Sequence, residues 1–407
     1  MSGKDGSVVE GGGCVTLAGG SAAAHATTGK VLLLSWTIPP ALTGAADVVG
    51  SLAKQFSREE MVVAGERPHG RELSPWQEDW PDLVYLVNGW PSTRRGERWW
   101  RKLQFPLLFL RCLRLARTYG CTSIVTVFPS EEYLLAGYLT ALCTGAQFFP
   151  YFHNTFVENR KGVARHFASW LQGRVFKRAA HVFVMSDGMV ELYGERYPEL
   201  TCSALVHSFT ADIPPFAPPP EPGSPLRVMI CGNIGDSCRE ATARVADAMS
   251  QVGDASLTLL SATARVFLER WGILRDGVRH ETPDEIQPYL READIALLPH
   301  GFSGGLSADE YRTIFPTRTL QYLICGRPIL AHAPPGCYLT RFLRKHRCAL
   351  IVDEPSVPAL LDAIARLRSD AQLRSKLVRN ALLTAQQFRG PRVAAMLRRQ
   401  LQSSEVQ

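Results

Sequence analysis

The stretch FPTRTLQYLICGRPIL, residues 315–330, combines the signals of a helix with those of a buried strand. Pro316 stands where a helix can start, and Thr317 is a plausible N-cap. Leucine and isoleucine at helical spacing predict that one side of this helix is buried. Gly326 then ends the helix, and Pro328 opens an apolar run. The stretch therefore predicts a helix that leads directly into a buried strand.

The same order of segments continues on both sides of this stretch. Short apolar runs alternate with amphipathic segments, which is typical of parallel sheets covered by helices. The predicted strands are 226–232, 256–262, 294–299, 327–332 and 348–353 in the C-terminal half, and 30–36, 61–65, 83–87, 123–128, 147–154 and 181–186 in the N-terminal half. The predicted fold class is therefore α/β, with two Rossmann-like doubly wound domains separated by a cleft.

A proline-rich segment divides the two halves. Seven prolines between Pro214 and Pro225 cannot continue a helix or a central strand, so we interpret this segment as a semi-rigid linker. The predicted organisation is a disordered tail over 1–29, an acceptor-side domain over 30–206, the linker over 207–225, a donor domain over 226–380, and a C-terminal helix over 381–407 that crosses back to the first domain.

Composition limits the class of protein. The 407 residues contain 46% hydrophobic side chains, enough for two ordinary domains, and the net charge of +7 is mildly basic. Ten cysteines without C-x-x-C or zinc-ligand spacing indicate reduced thiols, hence a cytoplasmic protein. The N-terminal residues lack the features of a signal peptide. No apolar run reaches the roughly 18 residues of a membrane-spanning helix.

The turn after the first strand of the second half is a candidate anion site. Gly232 and Gly235 flank Asn233 between the strand and the next helix, where backbone N–H groups and the helix dipole favour an anion. Arg239 lies in the first turns of that helix and could reach a phosphate. The alternative is a turn with no ligand, which is common for so short a pattern.

A second candidate anion site lies at the start of the opening stretch. Arg318 and Gln321 are three residues apart, so they share one helix face and lean towards its N-terminus. Arg318 is suited to bidentate phosphate contact, and Gln321 could bind ribose hydroxyls. Alternatively, both are solvated surface residues. Two such helix starts in one domain favour a nucleotide diphosphate as the ligand.

These motifs resemble the donor-binding domain of retaining glycosyltransferases of the GT-B type, family 4. READIALLP (291–299) followed by FPTRTLQYLICGRPIL is similar to the family pattern, and the similarity is strongest over 290–350. In the first half, LLLSWTIPPALTGAADVV (32–49) resembles the first strand and the acceptor loop, which here contains Gly44. YFHNT (151–155) resembles the family's strand-end histidine motif.

The resemblance implies roles for individual residues. Arg239 stands where a lysine usually contacts the donor pyrophosphate, and Asn233 stands where an arginine is common. Arg318 replaces the lysine of the family's Pro-Ser/Thr-Lys pattern and keeps its charge. Gln321 occupies the place of the glutamate that binds the donor ribose, and Thr313 the place of the first glutamate of the Glu-x7-Glu motif. Both glutamates are therefore missing, which weakens the expected grip on the donor.

The resemblance also implies the chemistry. His153 matches the histidine close to the donor sugar and the reaction centre; a structural role is the alternative. Transfer would retain the anomeric configuration, with no dedicated carboxylate base. No Asp-x-Asp motif occurs, so we expect no essential metal and no cofactor. The expected donor is a UDP-sugar, with a GDP-sugar possible, and the expected acceptor is a hydroxyl of a saccharide or glycolipid.

The first half contains a basic, aromatic stretch, RRGERWWRKLQFPLLFLRCLRLAR, residues 94–117, with eight cations and one acid. Pro106 is expected to begin a second helix there. Such a surface suits an anionic membrane on the inner face of the plasma membrane. The predicted membrane contacts are Arg98, Trp99, Trp100, Arg101 and Lys102. The alternative is that the leucines are core and the arginines solvated; no nucleic-acid fold signature accompanies the charge.

The sequence therefore predicts a glycosyltransferase of polysaccharide or glycolipid assembly. Two alternatives stay open. One is a sugar-nucleotide epimerase or hydrolase on the same fold. The other is a non-catalytic relative that acts as the partner of another transferase, which the two missing glutamates favour.

Overall fold

The computed structural model describes residues 29–41, 43–69, 76–89 and 97–403. Thirteen strands lie in two sheets within these residues. The strands of the first sheet are β1 (Lys30–Thr37), β2 (Met61–Arg67), β3 (Asp82–Asn88), β4 (Cys121–Phe128), β5 (Gln147–Phe152), β6 (Val182–Val184) and β7 (Cys202–Ala204). Those of the second are β8 (Leu226–Cys231), β9 (Ala255–Leu260), β10 (Val278–Glu281), β11 (Ile295–Pro299), β12 (Ile329–His332) and β13 (Leu350–Val352).

Helices connect most successive strands in both sheets. In and around the first sheet they are α1 (Gly44–Ala53), α2 (Glu97–Thr118), α3 (Glu131–Thr144), α4 (Val163–Arg178) and α5 (Asp187–Arg196). In the second half they are α6 (Arg239–Met249), α7 (Arg265–Arg270), α8 (Gln287–Leu290), α9 (Ala308–Thr313), α10 (Thr319–Ile324), α11 (Tyr338–His346), α12 (Val357–Ser369), α13 (Ala371–Ala385) and α14 (Gly390–Ser403).

Every strand pair in both sheets is parallel, in the orders β3-β2-β1-β4-β5-β6-β7 and β10-β9-β8-β11-β12-β13. Both orders reverse next to the first strand of the sheet, as in doubly wound folds. The predicted fold class is confirmed. Two short edge strands, β7 and β10, were not predicted, because neither carries a continuous apolar run.

The helix of the opening stretch is shorter than predicted. α10 begins at Thr319, with Arg318 rather than Thr317 at the N-cap position and no side-chain cap. The preceding residues form a turn in which the Thr319 N–H donates to the Pro316 carbonyl at 2.9 Å. The prediction that Thr317 caps this helix is therefore wrong, because the Pro316 carbonyl of the turn already accepts the first N–H of the helix.

The basic stretch forms one helix rather than two. α2 runs through Pro106, so the prediction that Pro106 begins a second helix is wrong. Pro106 lies on the exposed side of α2. Water can therefore hydrogen-bond the carbonyl that proline leaves without a partner, and the helix continues. Arg94 and Arg95 of this stretch lie outside the described residues.

The last helix packs on the first sheet. The chain leaves α13, which packs in the second half, through a short 3-10 turn at Gln386–Phe388. α14 then lies against α1, with Leu397 fully buried among residues of β1, β2 and α1. The Arg398 guanidinium pairs with Glu60 at 2.8 Å. No helix in the described ranges is long and apolar enough to cross a membrane.

A substitution in α14 tests this packing. We expect Leu397→Ala to destabilise the first domain by about 3 kcal/mol, because it leaves a cavity in a fully buried position. Urea-induced unfolding followed by tryptophan fluorescence measures the change. The control is Leu383→Ala on α13, where the leucine is 66% exposed and little change is expected. Equal effects of the two substitutions would contradict the packing of α14.

Candidate functional site

The predicted site residues lie where the carboxyl ends of the two sheets face each other. Gly232 follows β8 directly with a φ of +90°, a conformation that favours glycine. The side chains of Asn233 and Thr263 fasten this turn to the loop after β9: the Ala262 N–H donates to Asn233 Oδ1 at 3.2 Å, and the Ile234 N–H donates to Thr263 Oγ1 at 2.9 Å. The turn is therefore a rigid platform.

Arg318 connects this platform to the segment before α10. Its guanidinium donates to the carbonyls of Cys231 at 3.3 Å and Asn233 at 3.0 Å, and it lies 3.2 Å from Cys238 Sγ. Cys238 is the N-cap of α6. The structure thus brings the start of α6 and the residue before α10 into direct contact. In the part of the chain that the structure describes, Arg318 makes no other hydrogen bond, so some of its five N–H donors stay available.

Arg239 is placed differently. It is the first residue of α6, directly after Cys238, and its side chain is partly exposed. Its guanidinium pairs with Asp236 at 3.3 Å and lies over the Trp271 ring at 5.8 Å from the ring centroid. Arg239 is therefore at the rim of the platform, held aside by an exposed ion pair that contributes little to stability. Gly235 accepts the N–H groups of Cys238 and Arg239 and has open space where a Cβ would lie.

Gln321 lies one turn after Arg318 in α10. Its side-chain oxygen accepts a hydrogen bond from Gln287 Nε2 at 2.7 Å, and its backbone carbonyl accepts a second from the same amide at 2.9 Å. Gln321 is half-buried. The bond from Gln287 thus fixes the side-chain oxygen of Gln321, the predicted ribose-binding residue, and does not use its NH2 group.

Thr317 lies against the first domain. A Cβ on Gly44 would come within 3.2 Å of Thr317 Oγ1, so the small residue permits the close approach of the two halves. The Thr317 hydroxyl lies 3.4 Å from His207 Nε2. Gly44 is the first residue of α1, whose N-cap is Thr43. The start of α1 therefore faces the same gap as the platform.

Two buried histidines line this gap from the first domain. His153 follows β5, and its ring lies 5.5 Å from the ring of His207 between centroids. Among the described residues, His153 Nε2 and His207 Nδ1 have no hydrogen-bond partner although both are buried. Unpaired buried nitrogens are rare in folded proteins and are typical of places that bind a ligand or water. The sequence did not predict His207, because it lies in a segment without a regular pattern.

Burial keeps both imidazoles neutral. Burial, and secondarily the neighbouring His207, holds the pKa of His153 well below its usual value. Burial lowers the pKa of His207 to about 4. At neutral pH each ring is therefore one donor and one acceptor, not a cation.

Glu310 joins the two halves beside this gap. The carboxylate is buried and accepts four hydrogen bonds from residues just after His153: from Asn154 Nδ2 at 2.6 Å, from the Thr155 N–H at 2.8 Å and hydroxyl at 2.6 Å, and from Asn159 Nδ2 at 2.9 Å. The sequence did not predict this residue, because Glu310 in SADEYRT looks like part of a solvated helix.

Thr313 stands at the sequence position of the first glutamate, but its side chain is not available to a ligand as a glutamate would be. Its side chain is buried, and its hydroxyl donates to the Asp309 carbonyl of its own helix at 2.8 Å. Its backbone carbonyl accepts a hydrogen bond from Ser186 in the first domain at 2.6 Å. Thr313 is therefore part of the contact between the domains.

The predicted membrane residues point in different directions. Trp99 and Lys102 are exposed, and the Lys102 ammonium lies over the Trp99 ring. Arg101 turns inward, over the Trp36 ring at 4.3 Å and beside Glu66 at 3.4 Å. Trp100 is half-buried, with Nε1 3.4 Å from the Asn88 carbonyl. The side chain of Arg98 lies outside the described part of the structure.

No site for a metal was predicted, and within the described ranges no three histidine, cysteine or acidic side chains are grouped so that they could hold one. The positive charge available to a bound anion comes from Arg318, Arg239 and the start of α6.

Solved structures share this fold. Sucrose-phosphate synthase from Thermosynechococcus elongatus matches with a TM-score of 0.70 and 16% identity, covering 92% of this chain and 100% of that chain. Anabaena HepE in complex with UDP and glucose matches with a TM-score of 0.65 and 14% identity, covering 92% and 99%. A putative UDP-N-acetylglucosamine 2-epimerase from Listeria monocytogenes matches with a TM-score of 0.56 and 10% identity, covering 92% and 96%.

At these identities the similarity shows the fold alone, which is the GT-B architecture of glycosyltransferases and also that of an epimerase. No protein-family model matches the sequence, and a search of curated proteins finds no relative.

Replacing Glu310 tests the contact between the halves. We expect Glu310→Gln to destabilise the protein by about 3 kcal/mol, because an amide NH2 would face donors that now bond to a carboxylate. Thermal unfolding measures the loss. The control is Glu195→Gln, which removes an exposed ion pair with Arg312 across the same interface and should cost less than about 1 kcal/mol. A cost as small for Glu310 would show that its bonds are not formed.

The buried histidines predict a loss of stability in acid. Burial lowers the pKa of His207, His300 and His332 to about 4 in the folded state. The unfolded chain binds these protons near about pH 6.5, so the free energy of unfolding should fall as the pH decreases from there towards 4, by up to about 1.4 kcal/mol per pH unit for each ring.

Thermal unfolding at about pH 7 and about pH 5 measures this dependence. His207→Gln should reduce the pH slope by about one proton. An identical slope in the wild type and the His207 variant would contradict the assignment.

Proposed function

We propose that this protein is a glycosyltransferase that moves a sugar from a nucleotide diphosphate-sugar to a hydroxyl acceptor with retention of the anomeric configuration. A UDP-sugar is the favoured donor, and a GDP-sugar is compatible. The observation that carries the proposal is that Arg318 joins the turn after β8 to the segment before α10, opposite the unpaired nitrogens of His153 and His207.

The donor diphosphate would bind over the platform. The N–H groups at the start of α6 and the guanidinium of Arg318 give this place a fixed positive potential. Arg239 would leave Asp236 and reach the phosphates from the rim, because its present ion pair is exposed and weak. Gly232, Asn233 and Thr317 would supply backbone contacts. Arg318 would then bind the diphosphate while it stays bonded to the turn after β8.

The ribose of the donor would lie against Gln321. Its NH2 group can donate to a ribose hydroxyl while its oxygen stays bonded to Gln287. A neutral amide binds a diol less firmly than a carboxylate does. The proposed enzyme therefore binds its donor weakly through the ribose and relies on the phosphate contacts.

The proposed reaction breaks the bond between the anomeric carbon and the phosphate oxygen, and the electron pair stays on the departing diphosphate. The acceptor oxygen attacks from the same face and forms the new bond. The proton of the acceptor hydroxyl passes to the departing phosphate oxygen, so no protein base is required. Fixed positive groups stabilise the diphosphate as its charge develops. We accordingly propose that neither a metal nor another cofactor is needed.

His153 would act as a neutral hydrogen-bonding group at the sugar. Its low pKa excludes a role as a cation at neutral pH. The ring can instead fix a hydroxyl of the donor sugar through Nε2. His207 would orient Thr317 and the sugar in the same way. The acceptor would enter along the start of α1 at Gly44, from a saccharide or a glycolipid of a surface polysaccharide pathway, in the cytoplasm.

A second candidate function is that of a non-catalytic partner of another transferase. The observation that favours it is the buried Thr313, which cannot replace the missing glutamate. Purified protein mixed with labelled UDP- and GDP-sugars separates the candidates. Slow release of sugar and transfer to added acceptors, with the product anomer matching the donor by NMR, would support the transferase. No nucleotide binding at millimolar concentration would support the partner, and interconversion of the sugar without release would indicate an epimerase.

Gln321 provides a specific test of the donor site. We expect Gln321→Glu to bind UDP several-fold more tightly, because a carboxylate accepts stronger hydrogen bonds from ribose hydroxyls and can still accept from Gln287. Isothermal titration calorimetry measures the affinity. Gln321→Ala should weaken it, and Gln251→Glu, at an exposed position in the turn after α6, serves as the control for added charge. An unchanged affinity in Gln321→Glu would remove the ribose from this position.

A further inference from the structure

α2 exposes a stripe of large apolar side chains to solvent. Trp99 is 73% exposed, Leu103 74% and Leu110 60%, and Leu107 lies beside them. These residues are spaced by three or four along the helix, so they lie on one side of it, opposite the side that carries Leu108 into the core. On a helix at the surface of a globular protein, the side that faces water normally carries polar residues.

α4 exposes a second stripe on the same side of the sheet. Val163 is 87% exposed, and Phe167 and Trp170 are also exposed with their rings in contact. α3 packs between α2 and α4 and exposes Leu142 in its last turn. All three helices contribute to one core cluster, so their outer sides form one surface. We call this surface the α2–α4 face.

Most of the charges around the apolar side chains are positive. From Arg98 to Thr118 the chain contains no acid, and α4 contains none. Their exposed cations are Lys102, Arg114, Arg117, Arg165, Arg174 and Lys177, whereas the Arg111 guanidinium donates to the Leu86 carbonyl of β3. The acids on α3 nearest to this surface are Glu131, which pairs with Arg160, and Glu132, which accepts a hydrogen bond from Ser130. The face is therefore apolar at its centre and positive around it.

The most exposed of these apolar residues lie near the gap between the domains. Helices that follow strands of a parallel sheet begin at its carboxyl edge, and this edge faces the gap. At the start of α2, Trp100 lies against the carbonyl of Asn88 at the end of β3. α4 begins after the loop that carries His153 and the partners of Glu310. The most exposed side chains, Trp99, Leu103 and Val163, lie in the first turns of these helices.

We propose that the α2–α4 face docks on an anionic lipid bilayer. Tryptophan, phenylalanine and leucine would enter the boundary between headgroups and acyl chains, and the surrounding lysines and arginines would contact lipid phosphates. An acidic protein partner would contact the basic side chains on only part of the patch. A bilayer surface offers lipid phosphates to the basic side chains on all sides of the patch. The docking deepens the proposed function, because a hydroxyl acceptor held in the membrane would then be next to the gap. It does not require that activity.

Vesicle binding tests the docking directly. The full chain, without nucleotide, is sedimented with vesicles of phosphatidylcholine alone and of phosphatidylcholine mixed with phosphatidylglycerol. We expect binding to the mixed vesicles and a blue shift of tryptophan emission. Leu103→Glu/Phe167→Glu should reduce the partition coefficient at least tenfold. The matched control, Val266→Glu/Leu383→Glu, changes two apolar residues that are 63% and 66% exposed elsewhere and should bind as the wild type does.

The outcomes separate docking from its alternatives and from the enzymatic proposal. Unchanged thermal unfolding of both variants shows that they fold. Failure of the wild type to bind mixed vesicles, or equal binding by the Leu103/Phe167 variant, overturns the proposal. A wild-type dimer that the same variant abolishes, in the absence of vesicle binding, assigns the face to a second copy of this chain. Because the assay contains no sugar nucleotide, loss of the proposed activity leaves its result unaffected.

Discussion

The buried carboxylate of Glu310 is the interaction on which the arrangement of the two domains depends. It accepts hydrogen bonds from Asn154, Thr155 and Asn159 in the other half of the chain. A buried charge needs such partners, because an unpaired carboxylate away from water costs several kcal/mol. The geometry therefore fixes the loop after β5 relative to the segment before α10. His207 then lies between the His153 ring and the hydroxyl of Thr317, which is next to Arg318 in the chain.

The contact between the halves extends well beyond this carboxylate. One core cluster continues from α5 of the first domain to α11 and Phe315 of the second. Tyr338 donates to Asp187 at 3.0 Å, and a Cβ on Gly188 would come within 2.8 Å of Tyr338. The gap is therefore closed along one side by packed apolar residues, while the platform at Gly232 remains on the other.

The sequence predicted the parts of this protein that depend on local pattern. Parallel strands that are buried on both faces, such as β1, appear in the sequence as apolar runs. The fold class follows from the alternation of these runs with helices. β7 and β10 were not predicted because they are edge strands with half-exposed residues. α2 was divided at Pro106 because the sequence does not show which side of a helix faces water.

Residues whose role depends on distant partners could not be predicted in the same way. Glu310 and His207 are positioned by contacts with the opposite half of the chain, which no local spacing encodes. Arg318 and Gly232 were predicted because each belongs to a short motif with its own mechanism. The same difference explains why Val163, Phe167 and Trp170 were not singled out from the sequence, since their exposure depends on how α4 packs.

The return of α14 to the first domain has a mechanical consequence. The chain passes between the domains twice, near Phe209 and near Arg389, and the two passages are hydrogen-bonded side by side: the Phe209 N–H donates to the Phe388 carbonyl at 3.3 Å, and the Gly390 N–H donates to the Phe209 carbonyl at 3.2 Å. Because of these two bonds, the linker near Phe209 and the start of α14 cannot slide past each other without breaking them. The two connections between the domains therefore act as one doubled link and not as two independent tethers.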